Sequence, residues 1–343
     1  MDFHSLILKD KINETEDSVS LMFEPGADHP LMKYLPGQYL TLKKRVGREE
    51  LLRCYSLSST PGSKQLSITV KKVSKGKVSR YLCETAQVGD EFQLAGPHGR
   101  FTIDPDPERR TTYYFFAAGS GITPVFSMIS TLLEHEPKSR IHLLYGNRRE
   151  QDIIFRDKLD HMASRYEGQF VVEYALSKHT SGFLWTKRSD WSGLKGRIDG
   201  SMVADFLKRH PADSNHAAYY LCGPGAFIQD LENHLVHLDI LSSSTHKEYF
   251  TLPESESAAS SAEASWPLIC NVHVTLDQKS FDLMLNPGEK ILDGLVRQGL
   301  NPPYSCSSEA CATCVTKVVS GKVKMDVALG LEEEEGKAGY ILT

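Results

Sequence analysis

The pattern of apolar residues changes near residue 111, and this change constrains the fold of the 343-residue chain more than any other feature. Before it, short runs that alternate between apolar and polar residues are broken by Gly and Pro, as at 39–42, 65–71 and 91–94. Such runs predict an antiparallel β-barrel. After it, unbroken apolar runs such as 113–118 alternate with stretches of helical spacing such as 124–134. Repeated strand–helix units predict a doubly wound parallel α/β sheet.

A stretch that lacks core-forming residues separates a third module from the first two. Residues 251–265 consist almost entirely of Ser, Ala, Glu, Thr and Pro, a composition typical of a linker. Beyond it, a strand-like run at 269–276 and a helical stretch from Lys290 predict a small further domain. The predicted boundaries are 1–108 for the barrel, 109–250 for the parallel-sheet domain, 251–267 for the linker and 268–343 for the last domain.

Composition argues against several classes of partner. A formal net charge of −5 gives no electrostatic reason to expect nucleic acid or an anionic membrane. No apolar run reaches the roughly 18 residues that span a bilayer, and the first residues carry no secretion or transit signal. Seven cysteines, three of them clustered, fit metal chemistry in a reducing compartment better than a disulfide framework. We therefore expect a cytoplasmic protein with no membrane span and no nucleic-acid partner.

The barrel region contains three short motifs in a fixed order: Arg53-Cys54-Tyr55-Ser56, Val70-Lys71 and Gly76-Lys77-Val78-Ser79. Each alone is also typical of a solvated strand edge. In this order they resemble the flavin-binding domain of the ferredoxin reductase family, in which R-x-Y-S lines the flavin. The resemblance implies bound FAD, with Arg53 on the pyrophosphate and Tyr55 against the isoalloxazine. The residues expected to bind FAD are Arg53, Tyr55, Ser56, Val70, Lys71, Gly76, Val78 and Ser79.

Two turns mark the ends of strands in the parallel-sheet region. The first, 117–124, joins a buried strand to a helix, where glycines and a helix N-terminus favour an anion, although Gly119-Ser120-Gly121 is also consistent with a simple tight turn. The second, Cys222-Gly223-Pro224, ends a later strand at the edge where parallel sheets bind ligands. Together they resemble the nicotinamide half of the same family, with Thr123 and Cys222 flanking the nicotinamide. The expected dinucleotide residues here are Gly119, Gly121, Thr123, Pro124, Cys222, Gly223 and Pro224.

The last residues before the linker add to this site. Glu248-Tyr249-Phe250 resembles the end of the family's nicotinamide module, in which an aromatic residue covers the flavin face. The alternative is that Glu248 and Phe250 simply pack. On the resemblance, we expect three catalytic residues: Thr123, Cys222 and Glu248.

The adenosine end of the dinucleotide is marked by polar strand ends. Arg148 follows one strand, and Ser177 and Lys178 follow the next. No acid stands there to bind an adenosine ribose diol. This pattern favours NADPH over NADH, and the alternative is that these residues are ordinary exposed strand ends.

Three cysteines with the spacing C-x4-C-x2-C lie near the end of the chain: Cys306, Cys311 and Cys314. Zinc is one ligand for clustered cysteines, but such sites usually recruit a second C-x2-C or His pair, and none follows. The loop resembles that of plant-type ferredoxins, which implies an α+β β-grasp domain with a [2Fe–2S] cluster. The family usually has glycines in the first gap, whereas this chain has 307–310 as Ser-Ser-Glu-Ala, so the loop conformation and the cluster potential stay open.

A plant-type cluster requires a fourth thiolate. In the family a stretch like 331–343 leads directly into that cysteine, and this sequence stops one residue earlier. We expect the natural protein to continue, the alternative being a labile cluster or none. Cys270 is a poor substitute, because alternation with Val272 and Val274 predicts a buried position. Cys54 and Cys83 are predicted to pack structurally.

The module order implies an electron relay. A nicotinamide gives two electrons as hydride, a cluster takes one, and a flavin accepts two and releases them singly. Over nearly its whole length, including 3–6 and 338–343, the chain resembles the reductase subunits of bacterial phenylacetyl-CoA epoxidases, which supply electrons to a di-iron oxygenase. We therefore expect an NAD(P)H-dependent reductase whose partners are the subunits of a multicomponent oxygenase. The alternatives are a reductase for ketosteroid or aromatic hydroxylation, or a non-enzymatic redox-sensing metal protein.

Overall fold

The computed structural model describes residues 1–47, 49–178, 191–213, 216–251, 270–300, 302–304, 312–325, 330–331 and 333–343. Among them, Phe3–Phe250 form one compact unit, and Thr251–Thr343 together with Met1–Asp2 form another. The predicted linker lies outside the described residues except for Thr251, which ends a strand. No helix in the described part of the chain has both the length and the apolar character needed to cross a membrane.

The first sheet is antiparallel and contains six strands. They are β1 (His4–Thr15), β2 (Ser18–Phe23), β3 (Tyr39–Val46), β4 (Glu49–Ser56), β5 (Leu66–Lys71) and β6 (Glu91–His98). Their order is β4-β3-β6-β1-β2-β5, and every neighbouring pair runs antiparallel. An antiparallel bridge between Leu57, just past β4, and Ile68 of β5 joins the two end strands. The barrel predicted from the alternating pattern is therefore confirmed.

The barrel core follows from this alternation, because every second side chain of a strand points to the same face. The apolar positions Leu8, Leu21 and Leu40 are fully buried. Helix α1 (Lys77–Glu84) adds Val78 and Leu82 to the same cluster. Each such buried side chain stabilises the domain by roughly 1.5–3 kcal/mol.

The second sheet builds on parallel strands. They are β7 (Thr112–Ala118), β8 (Arg140–Asn147), β9 (Phe170–Leu176), β10 (Leu194–Lys195), β11 (Ala217–Pro224) and β12 (Thr245–Thr251), with the order β10-β9-β8-β7-β11-β12. The first five of these strands pair in parallel. The helices are α2 (Ile122–His135), α3 (Arg156–Arg165), α4 (Gly200–Arg209) and α5 (Gly225–His237). The predicted doubly wound parallel sheet is thus confirmed.

Burial on both faces explains the unbroken apolar run of β7. Phe115 lies in one cluster with Val125 of α2. Its neighbour Phe116 points the other way and meets Phe206 of α4, with ring centroids 6.1 Å apart. Helices therefore cover this strand from both sides.

Hydrogen bonds fix the barrel against the parallel sheet within the first unit. The Ser127 hydroxyl on α2 donates to the Ser59 carbonyl oxygen at 2.6 Å, and the Ser59 hydroxyl bonds Tyr34 Oη at 2.7 Å. Ser59 follows β4 closely, so α2 is held beside the end of that strand. These contacts position the start of α2 relative to the Arg53–Ser56 motif.

The second unit contains β13 (Cys270–Leu276), β14 (Lys279–Leu285), α6 (Ile291–Arg297), β15 (Val315–Lys317), α7 (Glu333–Lys337) and β16 (Tyr340–Leu342). β13 pairs antiparallel with β14, and β15 with β16. The small core consists of Leu283, Leu285 and Leu295, with Val272 and Val274 packed on it. This mixture of strands and helices agrees with the expected α+β class.

The prediction that Cys270 is buried is wrong, because its side chain is exposed. It shares a strand face with Val272 and Val274, as expected, but it is the first residue of β13 and is not a member of the cluster that those valines join, although its cross-strand partner Leu285 is. Alternation predicted the face correctly and could not predict where the core ends. Cys83 does pack on the barrel core, and Cys54 is half-buried.

Candidate functional site

The two turns of the parallel-sheet region meet at the carboxyl edge of adjacent strands. β7 and β11 pair in register, with Ala117 opposite Cys222. Gly121 then lies so close to the Cys222 peptide that a Cβ at Gly121 would be 2.1 Å from the Cys222 carbonyl oxygen. Only glycine permits this approach. The structure therefore brings the glycine turn and the Cys222-Gly223-Pro224 turn into direct contact.

The first turn leads into α2 through a 3-10 turn at Gly119–Gly121. Gly119 has φ of +55°, a left-handed conformation that favours glycine. Thr123 is buried, and its Oγ1 donates to the Ser120 carbonyl oxygen at 3.0 Å. Pro124 is also buried, and the first turn of α2 carries no acidic side chain to compensate the helix dipole. The positive end of the helix dipole at this point suits an anionic group such as a pyrophosphate.

A buried acid joins the two domains at this edge. The Glu248 carboxyl on β12 is hydrogen-bonded to the Ser56 hydroxyl at the end of β4, and it lies near the Cys222 thiol. Residue Glu248 as a whole is partly exposed, but its Oε2 is buried and has no hydrogen-bond partner among the described residues. Burial raises the Glu248 pKa to about 8, and the Ser56 hydrogen bond opposes this only in part. Burial, and secondarily Glu248, also raise the Cys222 pKa well above its usual value. At neutral pH both groups are therefore held in their neutral, protonated forms.

The proposed flavin groove is lined by β4. Arg53 is exposed, and its one described hydrogen bond runs from Nη1 to the Leu52 carbonyl oxygen at 2.6 Å, which leaves most guanidinium donors for a ligand. Tyr55 lies two residues on, on the same strand face, and is half-buried. Burial raises the Tyr55 pKa, so its hydroxyl stays protonated.

The start of α1 forms the second part of this groove. The Val73 backbone N–H donates to Ser79 Oγ at 3.2 Å, and a Cβ at Gly76 would lie 2.4 Å from that oxygen. Glycine at 76 therefore makes room for the bond that shapes the turn. Val70 and Val78 are buried in the barrel core, so they support the groove through packing rather than through an exposed side chain.

Lys71 reaches from the barrel to the glycine turn. A Cβ at Gly119 would lie 3.8 Å from Lys71 Nζ. Burial lowers the Lys71 pKa, and the nearby Arg148 lowers it further, while Asp152 opposes the shift. A partly desolvated ammonium at this point is suited to a phosphate that bridges the two domains.

The expected adenosine residues lie together at the ends of β8 and β9. The Lys178 backbone N–H donates to the Arg148 carbonyl oxygen at 2.8 Å, and the Ser177 N–H donates to the Asn147 carbonyl oxygen at 3.0 Å. Arg148 and Lys178 are exposed and Ser177 is partly buried. Phe250, at the other end of the sheet on β12, is also exposed, as a ring that covers a cofactor requires.

Sequence reasoning missed two polar residues beneath this edge. Tyr145 is fully buried and its hydroxyl donates to the Gly119 carbonyl oxygen at 2.8 Å. Asn147 lies beside that hydroxyl, is buried, and has no hydrogen-bond partner of strict geometry for its amide atoms among the described residues. The available signal in the sequence was that Tyr145 and Asn147 follow the apolar pair Leu143-Leu144 at the end of β8.

The cysteine loop is described only in part. Cys306 and Cys311 lie outside the described residues. Cys314 is buried, and its carbonyl oxygen accepts a hydrogen bond from Thr343 Oγ1 at 3.2 Å. Ala312 has φ of +54°, which is uncommon for a residue with a side chain, and the Val315 N–H donates to the Ala312 carbonyl oxygen at 3.4 Å, so the chain turns tightly at 312–315. A buried thiol in this turn fits a cluster ligand.

Ser56, Cys222 and Glu248 form a polar wall between the barrel and the parallel sheet. The two domains and this wall define a flavin- and nicotinamide-dependent oxidoreductase. Three family models match the chain: an oxidoreductase FAD-binding domain over residues 5–103, an oxidoreductase NAD-binding domain over 115–233 and a 2Fe-2S iron-sulfur cluster binding domain over 274–343. Three features of the described structure fit FAD and a nicotinamide coenzyme. They are the Glu248 Oε2 without a hydrogen-bond partner, the exposed Arg53 guanidinium and the α2 N-terminus without an acidic side chain in its first turn.

Relatives that match almost the whole chain support the same assignment. The chain is 36% identical to one component of the 1,2-phenylacetyl-CoA epoxidase from Escherichia coli, over 99% of this chain and 94% of the relative. It is 31% identical to the ferredoxin reductase component of 3-ketosteroid-9-alpha-monooxygenase from Mycobacterium tuberculosis, over 98% and 91%. A self-sufficient type IV cytochrome P450 monooxygenase shares the fold at a TM-score of 0.69 and 20% identity, over 99% of this chain and 39% of that one. The chain belongs to the family of FAD- and NAD-binding reductases with a C-terminal 2Fe-2S domain.

We predict that Gly121→Ala destabilises the first unit by about 2 kcal/mol or more, because the new Cβ must displace the Cys222 peptide. Chemical denaturation monitored by circular dichroism measures the loss. The control is Gly336→Ala, since nothing lies within 4 Å of a Cβ at that helical position. Equal stability of the two variants would contradict the close contact.

We predict that stability depends on pH through Glu248. The unfolded chain loses this proton above pH about 4.5, whereas the folded chain keeps it until about pH 8. The folded state therefore binds more protons in this range, and the free energy of unfolding falls as pH rises from 4.5 to 8. Urea titrations should show a shallower fall for Glu248→Gln than for the wild type. Glu134→Gln, an exposed carboxyl on α2, should keep the wild-type slope, and the same slope in both variants would refute the assignment.

Proposed function

We propose that this reductase oxidises NADPH at the wall formed by Ser56, Cys222 and Glu248 and delivers the electrons to the oxygenase component of a phenylacetyl-CoA epoxidase. The observation that carries the donor half is this wall. It joins the buried side chains of Ser56 on the barrel strand β4 and Cys222 on the parallel strand β11 to the buried Oε2 of Glu248 on β12. A buried polar group that lacks a partner is costly unless a ligand satisfies it.

The protein's residues position and insulate the reacting groups. A bound flavin can accept two electrons from a nicotinamide and pass them singly to a cluster. The neutral Glu248 carboxyl keeps a proton at the wall, so the wall adds no negative charge beside a hydride donor. Thr123 and Cys222 line the nicotinamide position from the two turns, and their burial keeps water away from it.

The proposed preference for NADPH rests on the cations at the sheet edge. Arg148 and Lys178 have exposed side chains and follow the ends of the adjacent strands β8 and β9, where the Lys178 amide bonds the Arg148 carbonyl oxygen. A 2′-phosphate is a dianion that a planar guanidinium binds strongly. Ser177, the residue before Lys178, adds a partly buried hydroxyl to this edge.

The proposed acceptor follows the relative with 36% identity, which is part of a phenylacetyl-CoA epoxidase. The second candidate is a ketosteroid monooxygenase, because the mycobacterial relative is 31% identical over a similar share of the chain. We propose the cytoplasm as the compartment, in keeping with the clustered cysteines.

The donor half is tested on the purified chain. We expect flavin absorbance and NADPH-dependent reduction of ferricyanide, and a protein without either would overturn it. The acceptor half is tested by adding the purified oxygenase components of each system. We expect NADPH oxidation coupled to epoxidation of phenylacetyl-CoA, whereas coupling only to 3-ketosteroid hydroxylation would favour the second candidate.

Arg148→Ala is expected to raise the KM for NADPH by about tenfold, because a hydrogen bond to a charged group contributes roughly 1.5 kcal/mol or more. The KM for NADH should change little. Arg149→Ala is the matched control, since the neighbouring guanidinium is already paired with Asp152 at 3.2 Å. An equal rise in the KM for NADPH and NADH would show that Arg148 does not recognise the 2′-phosphate.

A further inference from the structure

Two buried side-chain hydroxyls hold the glycine turn: Thr123 Oγ1 bonds the Ser120 carbonyl oxygen, and Tyr145 Oη, from a neighbouring strand, bonds the Gly119 carbonyl oxygen. Tyr145 is fully buried in the cluster beneath α2, and its Oη donates to the Gly119 carbonyl oxygen at 2.8 Å. The Ile122 backbone N–H also donates to that oxygen. The Gly119 carbonyl is therefore held by two donors and points towards the core.

The position of this carbonyl determines the direction of the next amide. The peptide between Gly119 and Ser120 is planar and trans, so its N–H points opposite to its C=O. With the carbonyl turned into the core, the Ser120 N–H points away from the core. Lys71 Nζ lies close by, 3.8 Å from the position of a Cβ at Gly119. The amides of a first helical turn have no partner along the helix and are available to a ligand.

We propose that Tyr145 is a positioning residue of the dinucleotide site, whose hydroxyl aims the Ser120 amide at the anionic phosphates of the nicotinamide coenzyme. The inference rests on the proposed nicotinamide site and adds a residue that touches neither coenzyme nor flavin. Gly119, with its φ of +55°, needs such support because glycine has wide conformational freedom. Without the hydroxyl the Gly119–Ser120 peptide can rotate, and the Ser120 N–H then no longer points at the coenzyme phosphates.

The chain contains a matched control on the same sheet. Tyr114 of β7 is also buried, and its Oη donates to a backbone carbonyl oxygen, that of His210, at 2.7 Å. His210 follows α4, away from both turns. Tyr145→Phe and Tyr114→Phe each remove one buried hydroxyl that donates to a backbone carbonyl oxygen, and their thermal midpoints measure any difference in their general effects on stability.

The test measures the dissociation constants of NADP⁺ and NAD⁺ by titration calorimetry, with flavin content and thermal midpoint recorded for each variant. We expect Tyr145→Phe to retain flavin and to weaken binding of both coenzymes about three- to tenfold, as the loss of one oriented hydrogen bond implies. Tyr114→Phe should bind them like the wild type. Equal dissociation constants in the two variants overturn the positioning role. If the wild type binds neither coenzyme, the proposed nicotinamide site fails as well, and the two failures are thus distinguishable.

A second measurement needs no variant at position 145. In protein labelled with ¹⁵N-serine, the Ser120 amide resonance, identified by its loss in Ser120→Ala, should shift when NADP⁺ is added. A resonance that stays in place while other serine amides shift would overturn the proposal.

Discussion

The contact between Gly121 and the Cys222 peptide is the constraint on which the rest of the site depends. A side chain at 121 would come within 2.1 Å of the Cys222 carbonyl oxygen, so the two turns can meet only through glycine. This contact fixes the start of α2 over the end of β11. It thereby places the start of α2, with Thr123 in its first turn, at the edge where parallel sheets bind ligands.

The wall of the site is built from groups that are costly to bury. Ser56, Cys222 and Glu248 come from three strands, and the Glu248 carboxyl retains an unpartnered oxygen in the described structure. Folded proteins tolerate such polar burial mainly where function requires it. The hydrogen bond between Ser127 and Ser59 has the complementary role, because it holds the barrel and the parallel sheet at the separation that this wall requires.

Much of the fold was predictable because its signals are local. The run at 113–118 predicted β7, and the spacing at 124–134 predicted α2, which begins two residues earlier at Ile122. The glycines at 119 and 121 marked the turn. The hydroxyl of Tyr145 escaped prediction because its partner, the Gly119 carbonyl, lies on another strand end. Cys270 was predicted buried and is exposed, because alternation defines a face and not the extent of a core.

The sequence by itself determined which residue types stand at the ends of strands and in the turns, since backbone conformation and side-chain period are properties of short segments. Tertiary structure alone decided which of those ends are neighbours. In the described part of the chain, three strands and three helices lie between β7 and β11, yet the two strands pair in register. Tertiary structure also decided the protonation of Glu248, because desolvation depends on the surroundings that the folded chain supplies.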